Sequence, residues 1–310
     1  MTIVFVYAPP VAGRHLVACC ACAVCVALFA AGCGSAGGAP HTGTLQVVAA
    51  ENFWGSIAAQ LGAGHVHVTS IVANPATDPH DYEPTSQDAR ALAGANLVIV
   101  NGIGYDPWAP KLLAASPSSG RLVITVGDLV GLTAGDNPHR WYSPANVQQV
   151  IDAITADYKR LDPHDGAAFE TARTRFEQMG LATYHREIAA IARRFAGVRV
   201  GASESIFAPL AQALHLDLVT PPTFLRAISE GTEPTVQDLA TIDRQIATRE
   251  INAWVFNSQN STPDVQRLTE AARKQRIPVV SITETLSPAS ATFQSWQVAQ
   301  LRRLEAALAR

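Results

Sequence analysis

Four side chains stand where chemistry is most often done in an α/β protein, just past the ends of apolar runs. His80 lies in "PATDPHDYEPT" and His139 in "DNPHRWYSP"; Glu204 directly follows "VRVGAS" and Glu284 directly follows "VVSIT". Two neutral imidazoles and two carboxylates brought together would make a divalent-metal site of nitrogen and oxygen donors. The 5 cysteines, Cys19, Cys20, Cys22, Cys25 and Cys33, all fall near the amino end, so the rest of the chain has no thiolate to offer. Spacing alone favours a plainer reading, four unrelated polar residues at strand ends, since no pair forms a local ligand motif such as HExxH.

The elements that would position these residues follow from the hydrophobic pattern. Short β-branched runs alternate with longer amphipathic stretches, the pattern of parallel sheets covered by helices. Strands are expected at residues 45–50, 66–72, 96–101 and 121–126, then at 197–203, 216–220, 251–257 and 277–283. The two sets imply two α/β lobes, each a mainly parallel four-stranded sheet flanked by helices, covering 45–163 and 197–310. Between them, 164–196 reads as one long, rigid linking helix of roughly 45 Å. Its apolar face would comprise Phe169, Ala172, Phe176, Met179, Ile188, Ile191 and Phe195, with Gly180 as a weak point. Ligands of open α/β sheets bind beyond the carboxyl ends of the strands, where all four candidates lie.

Composition bounds the function classes. A 310-residue chain with 48% hydrophobic residues can build well-packed cores, and a net charge of -3 without basic blocks offers no footprint for nucleic acid. At the amino end, Arg14 precedes the apolar run "HLVACCACAVCVALFAAGC", and "GSAGGAPHTG" follows with the composition of a flexible tether. This segment, 1–33, resembles a bacterial lipoprotein signal with Cys33 as the lipidated residue and 34–44 as the tether; an uncleaved membrane anchor is the alternative. Either would export the remainder of the chain, with the lipid holding it to the outer face of the cell membrane.

Six ordered motifs carry a wider resemblance: "DPHDYEPT", "NGIGYDPW", "NPHRWYSPANV", "SESIFAPLAQALHL", "ISEGTEPTVQDLA" and "PVVSITETL". Over 45–286 the chain resembles the metal-binding substrate-binding proteins of bacterial zinc and manganese ABC transporters. The resemblance implies a monomeric lipoprotein that captures one ion between its lobes and passes it to a membrane permease served by a cytoplasmic ATPase. Carried over motif by motif, the implied ligands are His80, His139, Glu204 and Glu284. The last is more often aspartate in the family, and the histidine-rich loop of some zinc-type members is missing. Two carboxylates suit manganese and two imidazoles suit zinc, whose intrinsic affinity is higher, so Zn2+ is expected ahead of Mn2+. Asp78, Asp81 and Glu83 are candidates to orient the imidazoles, Trp141 to exclude water, and Asn257 to border the cleft.

Rival signals carry less. His65 and His67 could share a strand face but read as a solvated edge, and His164, His185 and His215 read as surface or capped residues. Pro107 stands where a dinucleotide-binding loop would need its third glycine. A metal-dependent hydrolase would need an open coordination position and a separate base. No nucleophile arrangement is recognisable, so no catalytic residue is assigned. A haem-type binder or an adhesin would use the same two-lobed frame with a broader cleft.

Overall fold

The computed structural model describes residues 43–76 and 79–310. The leader, Cys33, most of the tether and Asp78 therefore lie outside the described residues. Among the described residues, no helix is long and apolar enough to cross a membrane.

All eight expected strands form, each within a few residues of its expected place. They are β1 (Leu45–Glu51), β2 (Val66–Val72), β3 (Leu97–Val100), β4 (Leu122–Thr125), β5 (Arg199–Ala202), β6 (Asp217–Leu218), β7 (Ala253–Asn257) and β8 (Val279–Ile282). They build two parallel sheets of the same order, β2-β1-β3-β4 and β6-β5-β7-β8. In each sheet the chain moves outward to one side from the first strand and then crosses to the other. The crevice beyond the two central strands is thus a topological switch point, twice over.

Side-chain alternation explains why the central strands are apolar throughout. In β1 and β3, Val47, Ala49, Leu97 and Ile99 enter the main core, while Val48, Ala50, Val98 and Val100 face a second cluster with Trp108 and Leu92. The main core does not stop at the lobe boundary: it runs from Phe53 and Trp141 through Phe176 and Tyr184 to Trp254 and Leu301. The carboxyl-terminal helix, Phe293–Leu308, reinforces this union. The Phe293 N–H donates to Ser56 Oγ at 2.9 Å, Gln294 Nε2 to Gln60 Oε1 at 2.7 Å, and Gln297 Nε2 to the Trp141 carbonyl at 3.3 Å.

The linking helix departs from regular α geometry at Gly180, the residue expected to be its weak point. An α-helix over Gly166–Arg175 passes into a π turn over Phe176–Gly180 and resumes as Ala182–Phe195. The Leu181 N–H reaches back five residues to the Phe176 carbonyl at 2.8 Å. A β-carbon on Gly180 would stand 2.9 Å from the Phe176 ring, so glycine lets that turn close. The extra residue rotates the following register: Phe169 and Phe176 are followed into the core by Leu181, Tyr184 and Ile191, while Met179, expected on the apolar face, is 74% exposed.

Candidate metal centre

His80, His139, Glu204 and Glu284 converge, each offering a ligand atom within 4.8 Å of the others. His139, Glu204 and Glu284 are fully buried and His80 is half-buried. His139 Nε2 lies 3.4 Å from Glu204 Oε1 and 3.6 Å from Glu284 Oε1. A tetrahedral ion with bonds of about 2.1 Å needs ligand atoms about 3.4 Å apart, close to the two separations of His139 from the carboxylates.

Two donors sit at strand ends and two on loops that follow the strands. Glu204 continues β5, and Glu284 lies two residues past β8. His139 opens a short 3-10 turn, Arg140–Tyr142. Its loop is held by Asn101 at the end of β3: Asn101 Nδ2 donates to the Pro138 carbonyl at 2.9 Å, and Trp54 Nε1 donates to Asn101 Oδ1 at 3.2 Å. His80 sits in the 3-10 turn Pro79–Asp81 after β2. Downstream, Thr85 and Asp88 form a capping box on the helix Ser86–Gly94, and the Tyr82 hydroxyl donates to Asp88 at 2.8 Å. Upstream, Gln259 Nε2 donates to the Pro75 carbonyl at 2.8 Å, tying this loop to the other lobe.

The surrounding hydrogen bonds settle how the donors are presented. Asn137 Nδ2 donates to the Ser205 carbonyl at 2.7 Å, which orients its amide and leaves Oδ1 as an acceptor. That oxygen accepts from the His139 backbone N–H at 3.0 Å and stands 2.8 Å from His139 Nδ1. Nδ1 is therefore the nitrogen that donates to Asn137, which leaves Nε2 as the one facing the carboxylates. Asn257, at the end of β7, donates through Nδ2 to both Glu204 Oε2 at 2.9 Å and Glu284 Oε1 at 2.7 Å. The Tyr105 hydroxyl donates to Glu284 Oε2 at 2.9 Å, and Ser229 Oγ donates to Glu204 Oε1 at 3.3 Å.

Tyr105 is carried on a strained loop. Gly102, Ile103 and Gly104 all have positive φ, and 58° is costly for a β-branched residue. Asp106 offsets this by accepting from the Asn101 and Gly102 N–H groups at 2.7 and 2.8 Å. Burial pushes the Asp106 carboxyl up to about 6 despite these bonds. Burial, then the neighbouring Asp106, also raises Glu51 well above the usual carboxylate range. Glu204 is likewise raised, first by burial and next by the charge of Glu284; His139 and Asn257 oppose the shift only in part.

The other sequence candidates divide. Trp141 is fully buried, stacks on Phe53 at 4.0 Å and stands edge-on to His139 at 5.2 Å between ring centres. Glu83 is exposed, and Asp81 contributes its backbone to the turn of His80. Asn101, Tyr105, Asn137 and Ser229 were not singled out from the sequence; polar residues next to a strand end or a candidate ligand were the available signal for the first three. Above the donors a cavity of about 780 Å³ opens between the lobes, lined by His80, Ile103, Asn137, Ser205, Arg226 and Ser229. His80 is the one member of the donor set on its wall.

Residues 47–307 match the family described as "Zinc-uptake complex component A periplasmic". The chain belongs to this family. Among relatives, it is 31% identical over 162 residues to the manganese-binding lipoprotein MntA of Halalkalibacterium halodurans, covering 47% of this chain and 50% of that protein. It is 26% identical over 237 residues to the iron-binding protein YfeA of Yersinia pestis, covering 74% of this chain and 66% of the relative. The matches thus span about half to two thirds of these relatives' lengths. In three dimensions it resembles the Mn-bound periplasmic metal binding protein of Candidatus Liberibacter asiaticus, with a TM-score of 0.70 at 19% identity over 84% of this chain and 98% of that one. This last likeness bears on the fold. The two relatives named above are described by the metals they bind, manganese and iron.

Proposed function

We propose that this protein is an exported, lipid-anchored receptor that binds one divalent transition-metal ion between its lobes and hands it to an ABC importer. The observation that carries this reading is the convergence of four donors, two from each lobe, on one buried point at the switch crevice of both sheets. Membership of the zinc-uptake component family and the names of its relatives support the transport role; a permease and its ATPase would be the partners.

The donor set argues for zinc over manganese. His139 is committed through Nε2, and Tyr105 and Asn257 each occupy one oxygen of Glu284, which favours one Glu284 oxygen at the metal and a low coordination number. A set of four donors with two imidazoles suits zinc, whereas manganese prefers more oxygen ligands. Ions enter past His80 from the cavity and meet the buried carboxylates beneath.

A competition titration with zinc and manganese tests this, using the full chain in detergent with its leader cysteines alkylated. One ion bound at the cleft, zinc ahead of manganese, and a marked loss in His80→Ala are expected. Failure of both metals to bind in a manner sensitive to His80 would overturn the reading. Because one apolar core and the carboxyl-terminal helix join the lobes, release should involve local movement of loops such as that of His80, without wide hinge opening. X-ray scattering of metal-bound and metal-free protein should give radii of gyration that agree within about 1 Å, far less than separation of two domains would produce. A larger expansion on metal removal would point to hinge opening.

A further inference from the structure

A second group of metal-ligating side chains lies at the opposite end of the first sheet from the cleft. Asp162, His164 and Asp165 occupy the turn between the helices Pro144–Leu161 and Gly166–Arg175, and each offers a ligand atom within 4.8 Å of the others. His65, just before β2, joins them from the sheet, its Nδ1 2.5 Å from Asp165 Oδ2. His164 Nδ1 stands 3.0 Å from the other oxygen, Asp165 Oδ1. One carboxylate is thus flanked by two imidazoles that come from separate elements.

The turn is already shaped. Asp162, only 6% exposed, accepts the His164 and Asp165 backbone N–H groups on Oδ1 at 3.2 and 3.3 Å. The His65 ring is held edge-on against Phe169, with ring centres 5.8 Å apart. His164, at 89% side-chain exposure, is free to rotate toward an ion at little cost. An ion with bonds of about 2.1 Å would need these contacts widened to about 3.4 Å and the exposed His164 ring swung to the Oδ2 side of Asp165, where His65 stands.

We propose that His65, Asp162, His164 and Asp165 form an accessory site for a second divalent transition-metal ion of the zinc class. Two imidazoles exclude magnesium and calcium, which want shells of oxygen. The site shares no residue with the cleft and does not depend on the function assigned to it. Its exposure implies faster exchange and weaker binding than among the buried donors.

Calorimetric zinc titration of the full chain in detergent, with the leader cysteines alkylated, separates the two sites. Wild type should bind two equivalents. The double variant His65→Asn and His164→Asn, which keeps polar side chains in place, should bind one tightly, and His139→Ala should keep the weaker one. Adding all three substitutions should abolish both. If the double variant matches wild type in stoichiometry and affinity, the accessory site is refuted. Loss of binding confined to the double variant, with His139→Ala unaffected, would instead uphold the accessory site and refute the cleft reading. Asp165→Asn provides an independent variant that should also remove the weaker equivalent.

Discussion

His139→Ala is expected to weaken zinc binding by more than about 100-fold while the protein remains folded. Residues that only orient a ligand typically change metal affinity by about 10–100-fold, so deletion of a ligand should exceed that range. His139 is also the donor that stands between the two carboxylates, 3.4 and 3.6 Å from them, at a point with no exposure. Without its imidazole, an ion would have to bring water into a pocket where Trp141 and Tyr105 flank His139. The loss in His80→Ala should be smaller, because His80 borders the cavity and solvent can fill the position it vacates. Competition against a fluorescent zinc chelator gives both affinities, and circular dichroism reports the fold. Equal losses in the two variants would show that burial does not rank these ligands.

Glu204→Gln should do two opposite things: lower zinc affinity by about 100-fold or more and stabilise the metal-free protein at alkaline pH. Glu204 and Glu284 are buried together, both bonded to the Asn257 amide, so in metal-free protein only hydrogen bonds would offset their mutual repulsion. Burial and then Glu284 raise the Glu204 carboxyl above its ordinary 4.5. An acid whose pKa is higher folded than unfolded binds the proton more tightly in the folded state. Its contribution to stability is therefore full below about 4.5 and is lost as pH rises through the folded value. Metal-free wild type should accordingly lose stability between pH 5 and 8 through this group.

The glutamine variant removes the charge and should be more stable at pH 8 by about 1–3 kcal/mol. For a chain of this size that amounts to about 2–4 °C in Tm for each kcal/mol. Thermal melts in chelator at pH 5, 7 and 8 measure it, with the wild-type and variant curves converging at the acid end. A variant less stable than wild type at pH 8 would mean that the hydrogen bonds of Glu204 outweigh the repulsion. Zinc binding should reverse the wild-type trend, since proton loss from the same carboxylates and imidazoles strengthens their hold on the ion. The stability lost by burying acid groups without an ion is thus recovered when the ion arrives.

Much of this architecture was legible before any coordinate. Runs such as "LVIV" at β3 and "AWVFN" at β7 are too short for helices and too apolar for surface loops, so they read as buried strands. Their alternation with helical stretches dictated parallel pairing, and a parallel sheet directs attention to the carboxyl ends of its strands. That rule, with the family's motifs, pointed to His80, His139, Glu204 and Glu284 without a contact being known.

Tertiary structure alone decided what happens between distant residues. The pairing of β1 with both β2 and β3, which creates the switch crevice, depends on crossover paths that local pattern does not encode. The π turn shifts the register after Phe176 because Gly180 packs against that ring, and Met179 is turned outward although its spacing suits the apolar face. The groups that set the chemistry of the donors act across long separations: Tyr105 on Glu284, Asn101 on the loop of His139, Asn137 on Ser205. Hydrogen bonds are directional and reach only about 3 Å, so two residues far apart in sequence meet that condition only after both lobes have folded. Residue type, strand-end position and the family's motifs therefore marked the candidate donors in advance, while their hydrogen-bond partners and their spacing waited for the fold.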